Sequence, residues 1–383
     1  MRVAFLTNNL SPHGVSLVEQ IASRVDRFRV FVSAESDEVH GFIRTWGTLD
    51  VTVQRSINQL RVVRKAYGFW QTGELHIPFD TMHRLEEFNP DVILSGQLGA
   101  RTVLAALYKR KHRKKRLILW ATLSEHTESS RSWVRRAVRR WIVRQIDGAV
   151  VNGKSGERYL RGLGYLGPVA HAPYAIDDRP FERVRYCPEK NTYRLIYTGR
   201  LLAQKGLGTF CDALVSWCAG HPEISIVFRL VGDGPEQYKI ASLKKPANLI
   251  IELIGSVPRV ELAEHYNQAD VYAFPTFGDE WGVVINEAMI SGLPVLGSIY
   301  SQAVNELIQE GYDGWIFDPR DSESLSRALD RCFSSSPEKL QFMSGNAKRE
   351  IGRITPEANG AKIAELIHGC MQGANLEDTS CRI

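Results

Sequence analysis

No apolar run in this 383-residue chain approaches the roughly 20 residues that a membrane-spanning helix needs; the longest stretches, such as Leu117 to Leu123, stop far short. Cysteine is scarce, and the six residues (187, 211, 218, 332, 370 and 381) form no CxxC pair. That spacing excludes a disulfide framework and a zinc ribbon and predicts reduced thiols. No Asp-x-Asp triplet occurs, so a divalent metal held by that motif is not expected. Low-complexity tracts and close internal repeats are missing as well. The opening MRVAFLTNNL lacks the charged, apolar and cleavage regions of a secretory signal, which predicts a cytoplasmic location.

Hydrophobic residues make up 44% and charged residues 24%, the usage of an ordinary globular chain, so disordered and coiled-coil classes are set aside. Single cores stop growing at about 250–300 residues, so two domains are expected. The net charge of +5 conceals an asymmetry: 14 Lys and Arg lie between Arg101 and Arg144 against two acids, Glu125 and Glu128. A basic patch of this kind suggests an anionic partner.

Short apolar strands alternate with amphipathic helical stretches, the pattern of parallel sheets covered by helices on both faces. In the first half, strands are expected at Arg2 to Thr7, Arg29 to Ser33, Asp91 to Ser95, Arg116 to Ala121 and Gly148 to Asn152. The alternation stalls in the proline-bearing stretch after Pro168, which places an interdomain linker near residues 176–190. It resumes with strands at Arg194 to Thr198, Ile224 to Val231, Leu249 to Leu253, Val271 to Phe274 and Pro294 to Gly297. The expected division is a first Rossmann-like domain over 1–178, a second over 179–372, and a frayed tail over 373–383.

Two phosphate motifs are misleading. Residues 148–155, GAVVNGKS, fit the P-loop pattern, but a helix precedes them and the strand lies inside the supposed loop. Residues 162–167, GLGYLG, fit GxGxxG yet follow a helix and run into Pro168, as a helix terminus does.

Stronger signals lie further on. In Tyr197-Thr-Gly199-Arg200 through Lys205-Gly206 a strand ends in Gly and Arg, and Lys precedes the next helix. Two cations, a loop that admits a ligand to the backbone and a helix N-terminus together suit a diphosphate. In the run from Pro275 to Pro294, Asp279 sits in a loop and Glu287 lies within the apolar run Val283 to Met289. A carboxylate buried there requires a partner, and a sugar diol would serve.

Taken together, GRLLAQKG, RLVGDGPE, GSVPRVELAEHYNQADVYAFPT, GDEWGVVINEAMISGLPVLGS and SQAVNELIQEGYDGWIFDP resemble, in order, the donor domain of the family-4 retaining glycosyltransferases, also called glycosyl transferases group 1. The resemblance implies the glycosyltransferase-B fold, an α/β arrangement of two Rossmann-like doubly wound domains facing across a cleft. It implies that Arg200 and Lys205 hold the diphosphate of a nucleotide-sugar donor and that Glu287 bonds the ribose hydroxyls. Gly199, Trp281, Gly282 and Glu306 fall in its donor-binding segments. Asp279 stands where the family's first acid binds the transferred sugar, and Glu280, at a spacing one shorter, is the alternative. In the first half the loop Asn8 to Gly14 resembles the family's glycine loop near the diphosphate, and His126 falls where an active-site histidine is often found.

The implied reaction is sugar transfer to a hydroxyl acceptor with retention, in polysaccharide or glycolipid synthesis, with no cofactor and no metal. The segment Arg131 to Gln145 adds a basic amphipathic helix, with Val134, Val138, Trp141 and Ile142 on one face and Arg135, Arg136, Arg139 and Arg140 on the others. With the run 109–116 it suggests an anionic membrane surface and a lipid-linked acceptor. The rival readings are a sugar-nucleotide epimerase on the same fold, a P-loop kinase or NTPase through 148–155, and a nucleic-acid binder through the basic patch, which no RNA or helix-turn-helix motif supports.

Overall fold

The computed structural model describes residues 1–33, 46–66, 68–129, 131–176, 181 and 191–380. The chain forms two compact units. The first gathers Met1–Ala66, Trp70–Asp177 and Ile354–Ile383, and the second Asp178–Arg353 with Tyr67–Phe69. The linker expected near 176–190 lies almost wholly outside the described residues.

The first unit is built on a parallel sheet of β1 (Arg2–Thr7), β2 (Arg27–Val32), β3 (Val51–Val53), β6 (Val92–Gly96), β7 (Arg116–Ala121), β8 (Gly148–Val151) and β9 (Val169–His171), in the order β3-β2-β1-β6-β7-β8-β9. Between β3 and β6, β4 (Ser56–Ala66) and β5 (Phe69–Pro78) form a separate two-stranded sheet that the sequence reading did not foresee. The central strands are apolar along their whole length because helices cover both faces; Val92, Ile93 and Leu94, for example, are fully buried.

The second unit repeats the plan with β10 (Thr192–Thr198), β11 (Ser225–Val231), β12 (Leu249–Gly255), β13 (Val271–Phe274), β14 (Val295–Ser298) and β15 (Gly314–Phe317), ordered β12-β11-β10-β13-β14-β15 and all parallel. In each sheet the strand order reverses beside one central strand, between β1 and β6 and between β10 and β13. Doubly wound sheets bind ligands at the carboxyl ends of the strands at such a switch point.

The C-terminal segment departs from the expected division. The helix Pro356–Ser380 belongs to the first unit and continues through the stretch expected to fray. Its Ile363 and Ile367, one turn apart, are buried in a cluster with Val3, Leu17 and Ile21, and Asn359 Nδ2 donates to the Pro173 carbonyl at 2.7 Å. Burying two isoleucines contributes roughly 1.5–3 kcal/mol each. No helix was foreseen here from the sequence, and which sheet it covers is decided by packing.

Candidate functional site

In the second unit two loops meet at the switch point. After β10 the chain passes Gly199 and the exposed Arg200, makes a single 3-10 turn over Ala203–Lys205, and enters the helix Leu207–Gly220 through Gly206. Gly206 has φ 73°, and a Cβ there would lie 2.0 Å from the Pro275 carbonyl oxygen, so only glycine lets this turn approach the loop after β13. Phe277 N–H donates to the Gln204 carbonyl at 2.9 Å and fixes the same approach. Lys205 Nζ is thereby brought 2.5 Å from Asp279 Oδ2, with both side chains about four-fifths buried.

The acid loop is held independently. Asp279 N–H donates to the Tyr300 carbonyl at 3.0 Å, and Ser301 Oγ donates to the Trp281 carbonyl at 2.7 Å. Gly282, at φ 100°, opens the helix Val283–Ile290, and a Cβ there would press on Phe274 at 2.9 Å. Trp281 is 2% exposed and its indole Nε1 donates to Asn286 Oδ1 at 2.9 Å. Its ring therefore supports the loop rather than facing solvent. Glu280 and Glu306 are half-buried, and Asp279 is the acid that meets Lys205.

Glu287 is 4% exposed. Burial pushes its carboxyl up to about 7, against the opposing pull of Arg259 and the Tyr266 hydroxyl. Tyr266 donates to Glu287 Oε2 at 3.0 Å. With that proton committed to Glu287, the Thr198 hydroxyl, 2.7 Å from Tyr266, donates to it, and the Tyr272 hydroxyl lies 3.2 Å from Thr198 Oγ1 and donates to the Thr198 carbonyl at 3.3 Å. Sequence reasoning missed Thr198, Tyr266 and Tyr272. The signal available was hydroxyl-bearing residues at the end of β10, in the last turn of the helix Arg259–Asn267 and within β13, which no local motif sets apart from ordinary core residues.

In the first unit a cavity of about 190 Å³ opens at the switch point, lined among others by Thr7, Asn8, Asn9, Gly14, Gln97 and Trp120. Gly14 sits inside the first turn of the helix Pro12–Ala22 rather than in a loop before it, and a Cβ there would make only ordinary contacts, with Leu10 at 3.5 Å. His126 is half-buried in the short helix Glu125–Glu128, which a reciprocal Ser124–Thr127 cap opens, and it does not line this cavity.

The P-loop pattern has no loop to cradle a phosphate. Gly148–Val151 is a buried strand, Lys154 already begins a helix, and Ser155 Oγ accepts the Glu125 N–H at 3.0 Å. GxGxxG is a helix end: Gly164 has φ 94°, and Tyr165 N–H donates to the Leu160 carbonyl at 3.1 Å.

The basic patch is less bare than its composition suggests. Lys111 pairs with Glu86 at 2.7 Å, while Lys109 and Arg116 share Asp147 at 2.7 and 3.3 Å. The buried Glu128 binds Arg131 at 2.8 Å and also binds Arg139, and it is held below the usual carboxylate range although burial alone would raise it. This pairing anchors the helix Trp133–Val143. The face expected from the sequence is divided. Ile142 is buried and Trp141 partly so, but Val134 is 50% and Val138 43% exposed, beside Trp133 at 81%. Arg135, Arg136, Arg140 and Arg144 around them are exposed and pair with no carboxylate among the described residues. No helix among the described residues is long and apolar enough to cross a membrane.

Residues 192–335 match the family described as Glycosyl transferases group 1. The chain is 26% identical to a putative colanic acid biosynthesis glycosyltransferase, WcaL, of Salmonella typhimurium, over 45% of this chain and 44% of that protein. It is 24% identical to the alpha-monoglucosyldiacylglycerol synthase of Acholeplasma laidlawii, over 49% of each. The chain spans about half the length of the curated relatives it matches. Among solved structures, HepE of Anabaena in complex with UDP superposes with a TM-score of 0.71 at 19% identity, covering 96% of this chain and all of that one. These findings bear out both the glycosyltransferase-B fold and the resemblance to the group 1 glycosyltransferases.

Proposed function

We propose that this group 1 glycosyltransferase transfers a hexose from a nucleoside-diphosphate sugar to an acceptor hydroxyl, with retention of anomeric configuration and without a metal. The observation that carries the reading is the constellation at the β10/β13 switch point, where the Lys205–Asp279 pair joins two adjoining loops and the buried Glu287 stands on the helix Val283–Ile290 that the second loop enters.

In this reading Arg200, Lys205 and the positive end of the helix Val283–Ile290 meet the charge that develops on the departing diphosphate, where preorganised cations act most strongly. Lys205 is held by Asp279 in the resting protein, so donor binding redirects its ammonium towards phosphate and leaves Asp279 to accept hydrogen bonds from the transferred sugar. Glu280 is the alternative for that role. Glu287, with its ionisation set by burial and Tyr266, accepts the ribose hydroxyls. Trp281, Gly199, Gly282 and Glu306 position the donor loops, and the roles of Gly14 and His126 rest on the family resemblance alone. The bond from the anomeric carbon to the phosphate oxygen breaks, its electron pair leaving on phosphate. The acceptor oxygen bonds to that carbon on the same face through an oxocarbenium-like transition state, and its proton passes to the leaving phosphate.

HepE's UDP complex supports a nucleotide-sugar donor, and the named relatives support polysaccharide or glycolipid synthesis. The exposed Trp133, Val134 and Val138 among arginines support peripheral attachment to an anionic membrane.

The test is thermal unfolding with UDP, GDP, ADP, CMP and ATP in turn, each with magnesium and with EDTA, on the parent and on Lys205→Ala. One nucleoside diphosphate raises the melting temperature, the rise survives EDTA, and the variant loses it. A shift confined to ATP with magnesium would refute the reading, as would donor turnover that needs no acceptor.

A further inference from the structure

Arg101, on the first turn of the helix Ala100–Lys111, lines the cavity of the first unit and is 5% exposed. Its Nη1 donates to the Gly96 carbonyl at 3.2 Å, its Nε is buried without a hydrogen-bond partner, and no carboxylate among the described residues pairs with it. Burial lowers the guanidinium to about 10. Buried charges are ordinarily paired, because removing an ion from water costs more than a lone carbonyl returns. The residue is therefore held in an unfavourable state by the fold.

The surrounding cavity has the character of a binding site. Arg101 is the one charged residue that lines it. Phe5 and Trp120 stack at 5.3 Å to form an apolar wall. Gln97 takes φ 67°, rare for a residue with a side chain, and donates its amide to Thr122 Oγ1. Backbone strain that the surroundings over-determine gathers at functional sites. At about 190 Å³ the space is smaller than the roughly 300–1,000 Å³ of pockets that enclose a whole ligand, so it takes one group of a larger molecule. A planar guanidinium matches an oxyanion with two parallel N–H donors.

We propose that this cavity is the acceptor subsite for an anionic group, a carboxylate or phosphate on the molecule that receives the sugar, and that Arg101 binds it. The word acceptor rests on the function proposed above; the anion site does not.

The experiment measures binding of glucuronate, glucose 6-phosphate, inorganic phosphate, glucose and UDP to the full chain by calorimetry, with melting temperatures, for the parent, Arg101→Gln and Arg101→Lys. The anionic probes bind and glucose does not. Arg101→Gln weakens them about tenfold or more, the yield of a charge-assisted hydrogen bond, and leaves UDP affinity unchanged. Its melting temperature is at or above the parent's, since an unpaired buried cation has been removed. Arg101→Lys, which keeps the charge, loses less. Glucose binding as tightly as glucuronate, or anion binding that survives Arg101→Gln, would overturn the site. Equal losses in the two variants would assign the effect to packing and overturn it as well. Loss of UDP affinity instead would assign the guanidinium to the donor's diphosphate and overturn the acceptor role. Arg101-dependent glucuronate binding with no nucleotide shift in the parent would refute the proposed function and uphold the anion site.

Discussion

Replacing Glu287 by Gln tests the electrostatics of the proposed donor site. Burial raises its carboxyl to about 7 in the folded protein from an ordinary 4.5. An acid raised by folding binds its proton more tightly in the native state, so stability falls as pH rises from about 4.5 towards 7 and the loss is complete above. At 1.36 kcal/mol per unit, the penalty is about 3 kcal/mol at pH 8 and about 1 kcal/mol at pH 5. The amide cannot ionise, its carbonyl still accepts the Tyr266 hydroxyl, and its volume is nearly the same. Glu287→Gln therefore melts higher than the parent at pH 8 by roughly 4–8 °C more than it does at pH 5, at about 2–4 °C per kcal/mol for a unit of this size. The assay is differential scanning calorimetry at the two pH values without nucleotide. Under the proposed function nucleoside diphosphate binding weakens in the same variant, because a carboxylate would accept the ribose hydroxyls better than an amide. A variant that changes the melting temperature equally at both pH values would refute the raised ionisation.

Lys205→Ala lowers kcat by roughly 10²–10³, the cost of removing one preorganised charge from a developing anion, and, because it leaves the largely buried Asp279 without its cation, destabilises by about 1–4 kcal/mol, between the values for exposed and buried pairs; steady-state kinetics below the melting range and a melt separate the two. Trp133→Ser with Val138→Ser abolishes co-sedimentation with phosphatidylglycerol vesicles while changing stability by less than about 0.5 kcal/mol per site, as expected for surface positions. Unchanged sedimentation would assign the patch another partner. Ile363→Ala destabilises the first unit by about 2–5 kcal/mol, and hydrogen exchange locates the loss in β1 and the helix Pro12–Ala22 rather than in the second unit.

Much of the molecule was legible from residue order. β1, β7 and β13 fall at the bounds that their apolar runs announce, because a strand buried on both faces has no polar position to blur its ends. Arg200 and Lys205 stand out in the sequence because a strand-end glycine and cations precede a helix start, and Asp279 and Glu287 because they flank the next one; their roles come from the family resemblance and remain part of the proposal. The unforeseen pieces are those whose meaning is not local. The helix Pro356–Ser380 carries Ile363 and Ile367 on one face, which suits either sheet, and only the space left against Val3, Leu17 and Ile21 decides between them. The face of the helix Trp133–Val143 reads as continuous, but the ion pairs of Glu128 fix its docking so that Ile142 turns inward and Val134 and Val138 outward.

The sequence by itself determined the two doubly wound units, the order of their strands along the chain and the identity of the charged loops, since periodicity and turn chemistry act between near neighbours. The tertiary structure alone decided how those charges are used. It joined Lys205 to Asp279 across 74 positions of chain, ran the hydroxyl chain from Tyr272 to Glu287, and buried Arg101 without a counter-charge, because burial and the partners of a charge are properties of packing and not of order along the chain.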